Sequence, residues 1–590
     1  MESKVGITKL VNLAQQGNNI YKVKDSSKPG KIFVKLPKSG FNKLSFYSSE
    51  ILSENKSALS GKIGVATKYT DYGDSKILGR YRVINLKDGL QELTITIKNN
   101  DRNKIILSDI SVRSTFHFNL IRFIVITCCI GISFMAIFNF FYKKYHIFLF
   151  TLIIFFGVML SFLMPVGTTM DEQAHLIKSI SVANGDFFFK NHDSLFYAQG
   201  MNKMYAETVQ NLPLSYEDFR EFYNVYSSPE NKTLISQPSS TSASTYPFIP
   251  YIFSGLGVKI AMMFHLPPFF YVWLARAFNV LAYAILGYLT IKKVPYGKRL
   301  LLFFIAQPVL IYLSASIGVD ALLIGTILLG FSNILSLRYN KSIVTWRDLL
   351  IISLCFSLSI IIKPVYAPIL LVFFLLRREN FYSAKHQWIS YMILSAVLFF
   401  VSILVYLYSD KMGLNQWHRS DTDTTSQILN IVHNPVIYIK MLIQYFSNNA
   451  IEFSVAAFSL MGYVLTLNEF ITILNVGLLL FLCIADVSND ENKKRYLSFL
   501  DKLLIGLSTL SMLILSATAL YITFTPVGFP KIEGYQARYL LPMVALLLFI
   551  PGTKRIKITY SDNKLDVISM MSILSLLAFI TLCILSIYYK

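Results

Sequence analysis

Asp171 and Glu172, followed by His175 and Lys178, stand just beyond the point where an apolar run ends at Met164-Pro165. Spacings of four and seven residues put Asp171, His175 and Lys178 on one face of a helix, while Leu176, Ile180 and Ala183 line another. Such a segment rests on a bilayer by its apolar face and presents an acid-base group away from it. Further ionisable residues interrupt apolar runs elsewhere: Arg276 in Trp273-Leu-Ala-Arg276, Asp320 in Ile317-Gly-Val-Asp320, Lys363 in Ile360-Ile-Ile-Lys363, and Arg538 in Tyr535-Gln-Ala-Arg538. Charges in apolar spans are rare, and they mark a site or a paired interior charge.

The chemistry that suits this set is transfer from a lipid carrier. Outside the cytoplasm there are no nucleotide-activated donors, so a transferase there takes its group from a lipid whose phosphate lies at the headgroup plane. Arg538 offers a fork of donors to phosphate oxygens and Lys363 a point charge. Both would act chiefly on the departing phosphate in the transition state. Asp171 then withdraws the proton of an acceptor hydroxyl, with Glu172 orienting it or holding a divalent cation.

Each group also has a plain structural use. The Asp-Glu pair can cap the following helix, and His175 can serve as a hydrogen-bonding partner rather than a metal ligand. Asp320 can form a buried ion pair with Lys363 or Arg276, and Arg538 can snorkel to headgroups. Asp421-Thr-Asp423 has the D-x-D form used with metals and nucleotide-sugars, a pattern that loops also carry by composition.

The elements that must position these residues are membrane helices. Of 590 residues 54% are hydrophobic and 15% charged, which excludes a single soluble globule. The net charge of +21 comes from Lys and Arg in short clusters between apolar runs, the pattern of cytoplasmic loops rather than of nucleic-acid binding. All five cysteines lie in apolar stretches without a C-x-x-C pair, so neither a disulfide framework nor a thiolate metal site is indicated. Residues 1–115 read as an all-β sandwich, with strands expected at Lys31–Leu36, Phe41–Ser48, Lys62–Thr67, Ile77–Val83, Glu92–Lys98 and Ile105–Val112.

Residues 116–590 read as a polytopic, mainly α domain of about 12 transmembrane helices, at 118–141, 147–164, 268–291, 299–317, 320–337, 347–362, 364–376, 388–408, 467–485, 503–522, 539–551 and 566–588. Keeping six basic clusters cytoplasmic sends the loops 165–267, 409–466 and 523–538 outside, and with them the β-domain. Met1-Glu-Ser-Lys-Val-Gly-Ile holds no apolar export core, so either a preceding span is lost from the start of this sequence, the favoured reading, or 118–141 acts as a reverse anchor, or the β-domain is cytoplasmic and one expected span is not real. Amphipathic stretches at 202–226 and 428–446 should lie along the outer leaflet, and 247–265 reads as interfacial or re-entrant.

Taken in order, Asp171-Glu-Gln-Ala-His175, Tyr246-Pro-Phe-Ile-Pro-Tyr251, Leu274-Ala-Arg-Ala-Phe-Asn-Val-Leu281, Gln307-Pro with the run to Asp320, Lys363-Pro-Val-Tyr366 and Ala537-Arg-Tyr-Leu-Leu-Pro542 resemble a bacterial family of multispanning proteins long labelled a domain of unknown function and grouped with the GT-C glycosyltransferases. The resemblance covers about residues 118–590. Relatives usually carry Pro where Met170 and Gln173 stand, and often Gly at the place of Ala537. The resemblance implies a GT-C-like fold, a polyprenyl-phosphate sugar as donor, and a catalytic carboxylate in the first large outer loop, here Asp171 or Glu172. The β-domain is similar by fold analogy to carbohydrate-binding modules of relatives.

The expectation is therefore a multi-pass protein of the bacterial plasma membrane with its catalytic loop, and the β-domain, outside the cytoplasm. Asp171 and Glu172 are the catalytic candidates, and His175, Arg276, Asp320, Lys363, Arg538 and Tyr539 the substrate-binding ones. Its partners would be a polyprenyl-phosphate lipid and a cell-envelope glycan or lipid-linked acceptor, without nucleic acid and with no cofactor read beyond that possible divalent cation. The alternatives are a transporter or flippase of lipid-linked glycans, using the same charges as a path, and an envelope assembly scaffold.

Overall fold

A computed structural model describes residues 143–207, 223–411, 422–461, 465–488, 497–552 and 560–588, stretches of the strand-rich region before residue 114, and a few positions between 123 and 140. The described strands before residue 114 belong to one compact unit and the helices to another.

In the first unit, Lys104–Arg113 pairs antiparallel with Glu2–Lys4, Ile20–Val23 and Lys43–Ser48, within a seven-stranded sheet. Leu90–Ile97 pairs antiparallel with Gly30–Lys35 and Ser57–Ile63 in a five-stranded one. Alternation drives this arrangement: along Gly30–Lys35 the inward residues Ile32 and Val34 are fully buried while Lys31 and Lys35 are exposed. The expected strands near residues 31, 43, 92 and 105 are present, Lys76–Leu78 and Tyr81–Asn85 fall at the one near 77, and Ser57–Ile63 overlaps the start of the one expected at Lys62–Thr67, whose residues 64–67 lie outside the described ones. Four short strands before residue 24 add to those expected.

The second unit is helical: α1 (Tyr145–Leu163), α2 (Glu172–Asn184), α3 (Ile252–Met263), α4 (Pro268–Lys293), α5 (Lys298–Ile305), α6 (Pro308–Ser314), α7 (Asp320–Tyr339), α8 (Trp346–Ile362), α9 (Ala384–Lys411), α10 (Thr424–His433), α11 (Pro435–Ser459), α12 (Glu469–Ser488), α13 (Phe499–Thr523), α14 (Leu541–Leu547) and α15 (Asp562–Tyr588). Among the described residues seven of these, α1, α4, α7, α9, α12, α13 and α15, are long and apolar enough to cross a membrane.

Among the described residues seven of the roughly twelve expected spans are present as long apolar helices, and the others differ for identifiable reasons. The span expected at 299–317 is split into α5 and α6 by Pro308, which cannot donate to the preceding turn. The helix before Lys363 stops there, with Lys363 extended, and Pro364–Leu375 continues as a 3₁₀ segment containing Pro368. The span at 539–551 is a 3₁₀ turn, Ala537–Leu540, followed by the seven-residue α14. The span at 118–141 lies outside the described residues. The stretch 247–265 forms the 3₁₀ turn Ile249–Tyr251 and the 12-residue α3.

Helix α7 is the hub, 94% of its apolar window being buried, whereas α9 keeps only 22% inside the protein. Gly157 lets α1 approach α4: a Cβ there would lie 2.5 Å from Val280 Cγ1. At the end of the bundle marked by α5, Arg299 binds Asp486 at 2.9 Å and Asp566 at 2.6 Å, and Tyr145 also donates to Asp566, tying α1, α5, α12 and α15 together. A reciprocal amide pair, Gln307 with Asn475, joins α12 to the start of α6. Capping boxes fix the starts of α8, through Thr345 and Asp348, and α13, through Ser498 and Asp501.

Candidate functional site

The chain leaves α1 at Met164-Pro165 and turns through Gly167, whose φ of 80° suits glycine. Thr168 Oγ1 donates to the Pro165 carbonyl, and the Gly167 amide donates to Glu172 Oε2. Beneath this turn lies Arg276, fully buried. Its guanidinium binds Glu172 at both oxygens, 2.6 and 2.7 Å away, and donates to the carbonyls of Ser161, Met164 and Pro165. The bonds to Ser161 and Met164 satisfy carbonyls at the end of α1 that have no helical partner. Arg276 and Glu172 are engaged with each other and with backbone, so Asp171 is the carboxylate of the pair left to face the neighbouring charges.

Asp171 sits at the N-cap of α2 in the left-handed region, φ 58°, and its side chain makes no capping bond. Its Oδ2 instead accepts from Arg538 Nη2 at 2.9 Å, and the side chain is half exposed. Arg538 Nε lies 3.4 Å from Asp320 Oδ2, and Asp320 Oδ1 accepts from Lys363 Nζ at 2.6 Å. That ammonium lies 4.3 Å from the centre of the Tyr539 ring. One continuous chain of alternating charge therefore runs Asp171, Arg538, Asp320, Lys363, drawn from the starts of α2 and α7, the break after α8 and the turn before α14. Alternation lets buried charges compensate one another in a low-dielectric setting.

His175 lies next to this chain, its Nδ1 2.7 Å from the Tyr251 hydroxyl and its ring 5.9 Å from that of Tyr246. Burial, then the nearby Arg538 charge, pulls its pKa down to about 4. Burial likewise holds the phenols of Tyr246 and Tyr251 above their ordinary value.

A cavity of about 460 Å³ opens beside Lys363, walled by Tyr366, Val405, Tyr406, Leu520 and Tyr539 among others. Its walls come from α9, α13 and the break after α8. The lining is dominated by carbon, so the ammonium is the charged group at an otherwise greasy groove. On the other side of Arg538 is a chamber of about 30 Å³, where Thr169 Oγ1 and Gln536 Oε1 are buried without hydrogen-bond partners among the described residues.

Asp171, Asp320, Lys363, Arg538 and Tyr539 thus come together, His175 adjoins them, and Glu172 with Arg276 forms a separate buried pair. Tyr246, Tyr251 and the groove walls join the site beyond the residues that the sequence marks. The proline-flanked Tyr246-Pro-Phe-Ile-Pro-Tyr251 was their available signal, since prolines fix a non-helical turn able to aim two rings inward. Lys178 points elsewhere: fully buried, it donates to the Ser244 carbonyl and the Tyr408 hydroxyl. Asp423 caps α10 by accepting from the amides of Thr425 and Ser426, and Asp421 lies outside the described residues. Among the described residues no group of three His, Cys, Asp or Glu gathers as metal ligands.

Seven helices long and apolar enough to cross a membrane, among the described residues, together with the family match, define a multi-pass membrane protein. The chain belongs to the family described as predicted membrane protein (DUF2142), whose pattern its residues 154–547 match. No curated protein and no solved structure matches it.

Proposed function

We propose that the protein is a GT-C-type membrane glycosyltransferase, moving a sugar from a polyprenyl-phosphate donor to a cell-envelope glycan or lipid-linked acceptor at the outer face of a bacterial plasma membrane. The observation that carries this reading is Lys363 at the head of the apolar groove, linked through Asp320 and Arg538 to a half-exposed Asp171.

The groove has the character of a site for the prenyl chain, with the donor phosphate against Lys363 and Arg538. An acceptor hydroxyl oxygen attacks the anomeric carbon, the bond from that carbon to the phosphate oxygen breaks, and the leaving polyprenyl phosphate keeps the electron pair. The hydroxyl proton passes to Asp171. Lys363 and Arg538 stabilise charge as it collects on the phosphate. Asp320 holds both cations in place, and the Glu172–Arg276 pair fixes the turn that presents Asp171. The donor set does not suit a resident divalent cation, because Asp171 and Asp320 are both engaged by basic side chains and no third ligand approaches among the described residues.

Purified protein in lipid nanodiscs, supplied with a panel of polyprenyl-phosphate sugars and envelope glycan acceptors, should consume one donor and release polyprenyl phosphate. Movement of donor between leaflets without cleavage would establish a flippase instead.

A further inference from the structure

We propose that His175 is held by Tyr251 as a hydrogen-bond donor through Nε2, and that it offers this proton to an oxygen of the transferred sugar or its acceptor while taking no proton itself. The inference rests on the glycosyl-transfer reading for its ligand, and on the local geometry alone for the placement of the proton.

Tyr251 is fully buried, and its hydroxyl meets a single partner among the described residues, His175 Nδ1 at 2.7 Å. A phenol keeps its proton at any physiological pH and, once out of water, must donate it somewhere. Nδ1 is the acceptor within reach. A neutral imidazole carries one ring proton, so an accepting Nδ1 places that proton on Nε2. The opposite arrangement, Nδ1–H donating to the phenol oxygen, would leave a buried O–H with no acceptor, which disfavours it roughly 5- to 150-fold. Nε2 makes no hydrogen bond of its own among the described residues, so it is the ring's unused donor.

Two further contacts keep the ring in this pose. It stacks on Tyr251 at 5.8 Å with an interplanar angle of 28°, and the edge of Tyr246 faces it. Ser179 Oγ donates to the His175 carbonyl and pairs with Ser254 Oγ at 2.7 Å, which ties α2 to α3 just below Tyr251.

Burial of the ring also favours its neutral form. Arg538 and Lys363 oppose a proton on the imidazole, Asp171 and Asp320 favour one, and burial tips the balance towards neutrality. The His175 amide donates to the Asp171 carbonyl at 3.1 Å across the first turn of α2, and the Asp171 charge acts on the ring, so a group bound at Asp171 lies near His175. A general base must be free to accept a proton. Nε2 is already protonated and Nδ1 is occupied by Tyr251, which leaves Asp171 to take the proton and His175 to orient the oxygen.

The test uses the full chain with histidine side chains labelled with nitrogen-15, in nanodiscs. The His175 signals, identified by their loss in His175→Gln, should show Nε2 bearing hydrogen and Nδ1 as a bare acceptor throughout pH 6–8. In Tyr251→Phe the preference should relax towards a mixture of both tautomers. A proton on Nδ1 in the parent protein, or an imidazolium at pH 7, overturns the proposal.

In donor consumption, His175→Gln, whose amide reaches close to the Nε2 position, should stay within about tenfold of the parent. His175→Leu should fall by roughly 100-fold, and neither variant should lose a pH limb between 5 and 7.5. Equal loss in both substitutions, or a limb near pH 6.5 that disappears with His175, overturns the donor role. If no donor is consumed by the parent protein, the transferase reading fails, and the nitrogen spectrum still decides where the proton sits.

Discussion

Glu172 adjoins the proposed base, yet its carboxylate is committed to Arg276, and replacing it tests that division of labour. The guanidinium is fully buried and receives charge compensation from Glu172, with both carboxylate oxygens at 2.6–2.7 Å. Glu172→Ala leaves the three carbonyl contacts to Ser161, Met164 and Pro165 in place but strips the charge partner. Removing one member of a buried ion pair costs about 3–5 kcal/mol. Glu172→Gln should cost a similar amount, since an amide offers one acceptor where two are needed and turns a donor towards the guanidinium.

Pairing Glu172→Met with Arg276→Met removes both charges and leaves the α1 carbonyls as the residual cost. The double variant should therefore be more stable than the sum of its single changes by about 2 kcal/mol or more. Equilibrium unfolding in bicelles measures the parent, both single Met variants, the double variant and Glu172→Gln. A change below about 0.5 kcal/mol for Glu172→Gln, the range of an exposed substitution, would refute the assignment of Glu172 to positioning.

Other consequences follow from the groove and from the buried lysine. Ala519→Trp places an indole in the groove beside Leu520, and it should abolish turnover of polyprenyl-phosphate sugar while leaving the unfolding midpoint within a few degrees; retained turnover would place the lipid elsewhere. Burial lowers the Lys178 ammonium from 10.5 to about 8, so folding disfavours its charged form, and stability should rise as pH climbs from about 8 towards 10.5. Lys178→Met lacks this slope, so the parent should gain roughly 2–3 kcal/mol on the variant across that window in pH-dependent unfolding; parallel curves would contradict it. His175 has the same sign at lower pH: its depressed pKa makes the fold lose stability as pH falls from about 6.5 towards 4, and His175→Gln should flatten that loss.

The sequence made the membrane architecture legible through long apolar runs, because the bilayer imposes one length on every span. Its count of spans exceeds the long helices among the described residues where prolines cut those runs: Pro308, Pro364 and Pro368 turn apparent spans into short helices or 3₁₀ segments, and hydropathy alone does not register the missing amide. The membership of the charge chain was legible too, since Asp320, Lys363 and Arg538 each interrupt apolar sequence. Its pairing was not. Glu172 and Arg276 are 104 residues apart in sequence, and Asp171 and Arg538 367 apart, so nothing local distinguishes a carboxylate that grips Arg276 beneath the loop from one that reaches Arg538. Adjacent carboxylates on a helix start point in different directions, and the turn at Gly167 decides which goes where. The Tyr251 contact to His175, spanning 76 residues, was hidden for the same reason.

The stretch 428–446, expected to be amphipathic, divides at Asn434 between α10 and α11, and the exposed side of α11 is apolar as well, carrying Val436, Ile437, Ile439 and Ile443. Within α11, Met441, Leu442 and Tyr445 pack against Ala517, Tyr521 and Tyr535, while Ile437 and Ile443 stay exposed.

The most direct measurement compares the parent protein with Asp171→Asn for binding of a polyprenyl-phosphate sugar and for its transfer, in the same nanodiscs. Asparagine keeps a polar contact to Arg538 but cannot take the acceptor's proton. Donor affinity within about threefold of the parent, with transfer reduced by at least 100-fold, is the predicted result. Transfer at the parent rate by Asp171→Asn would contradict the account.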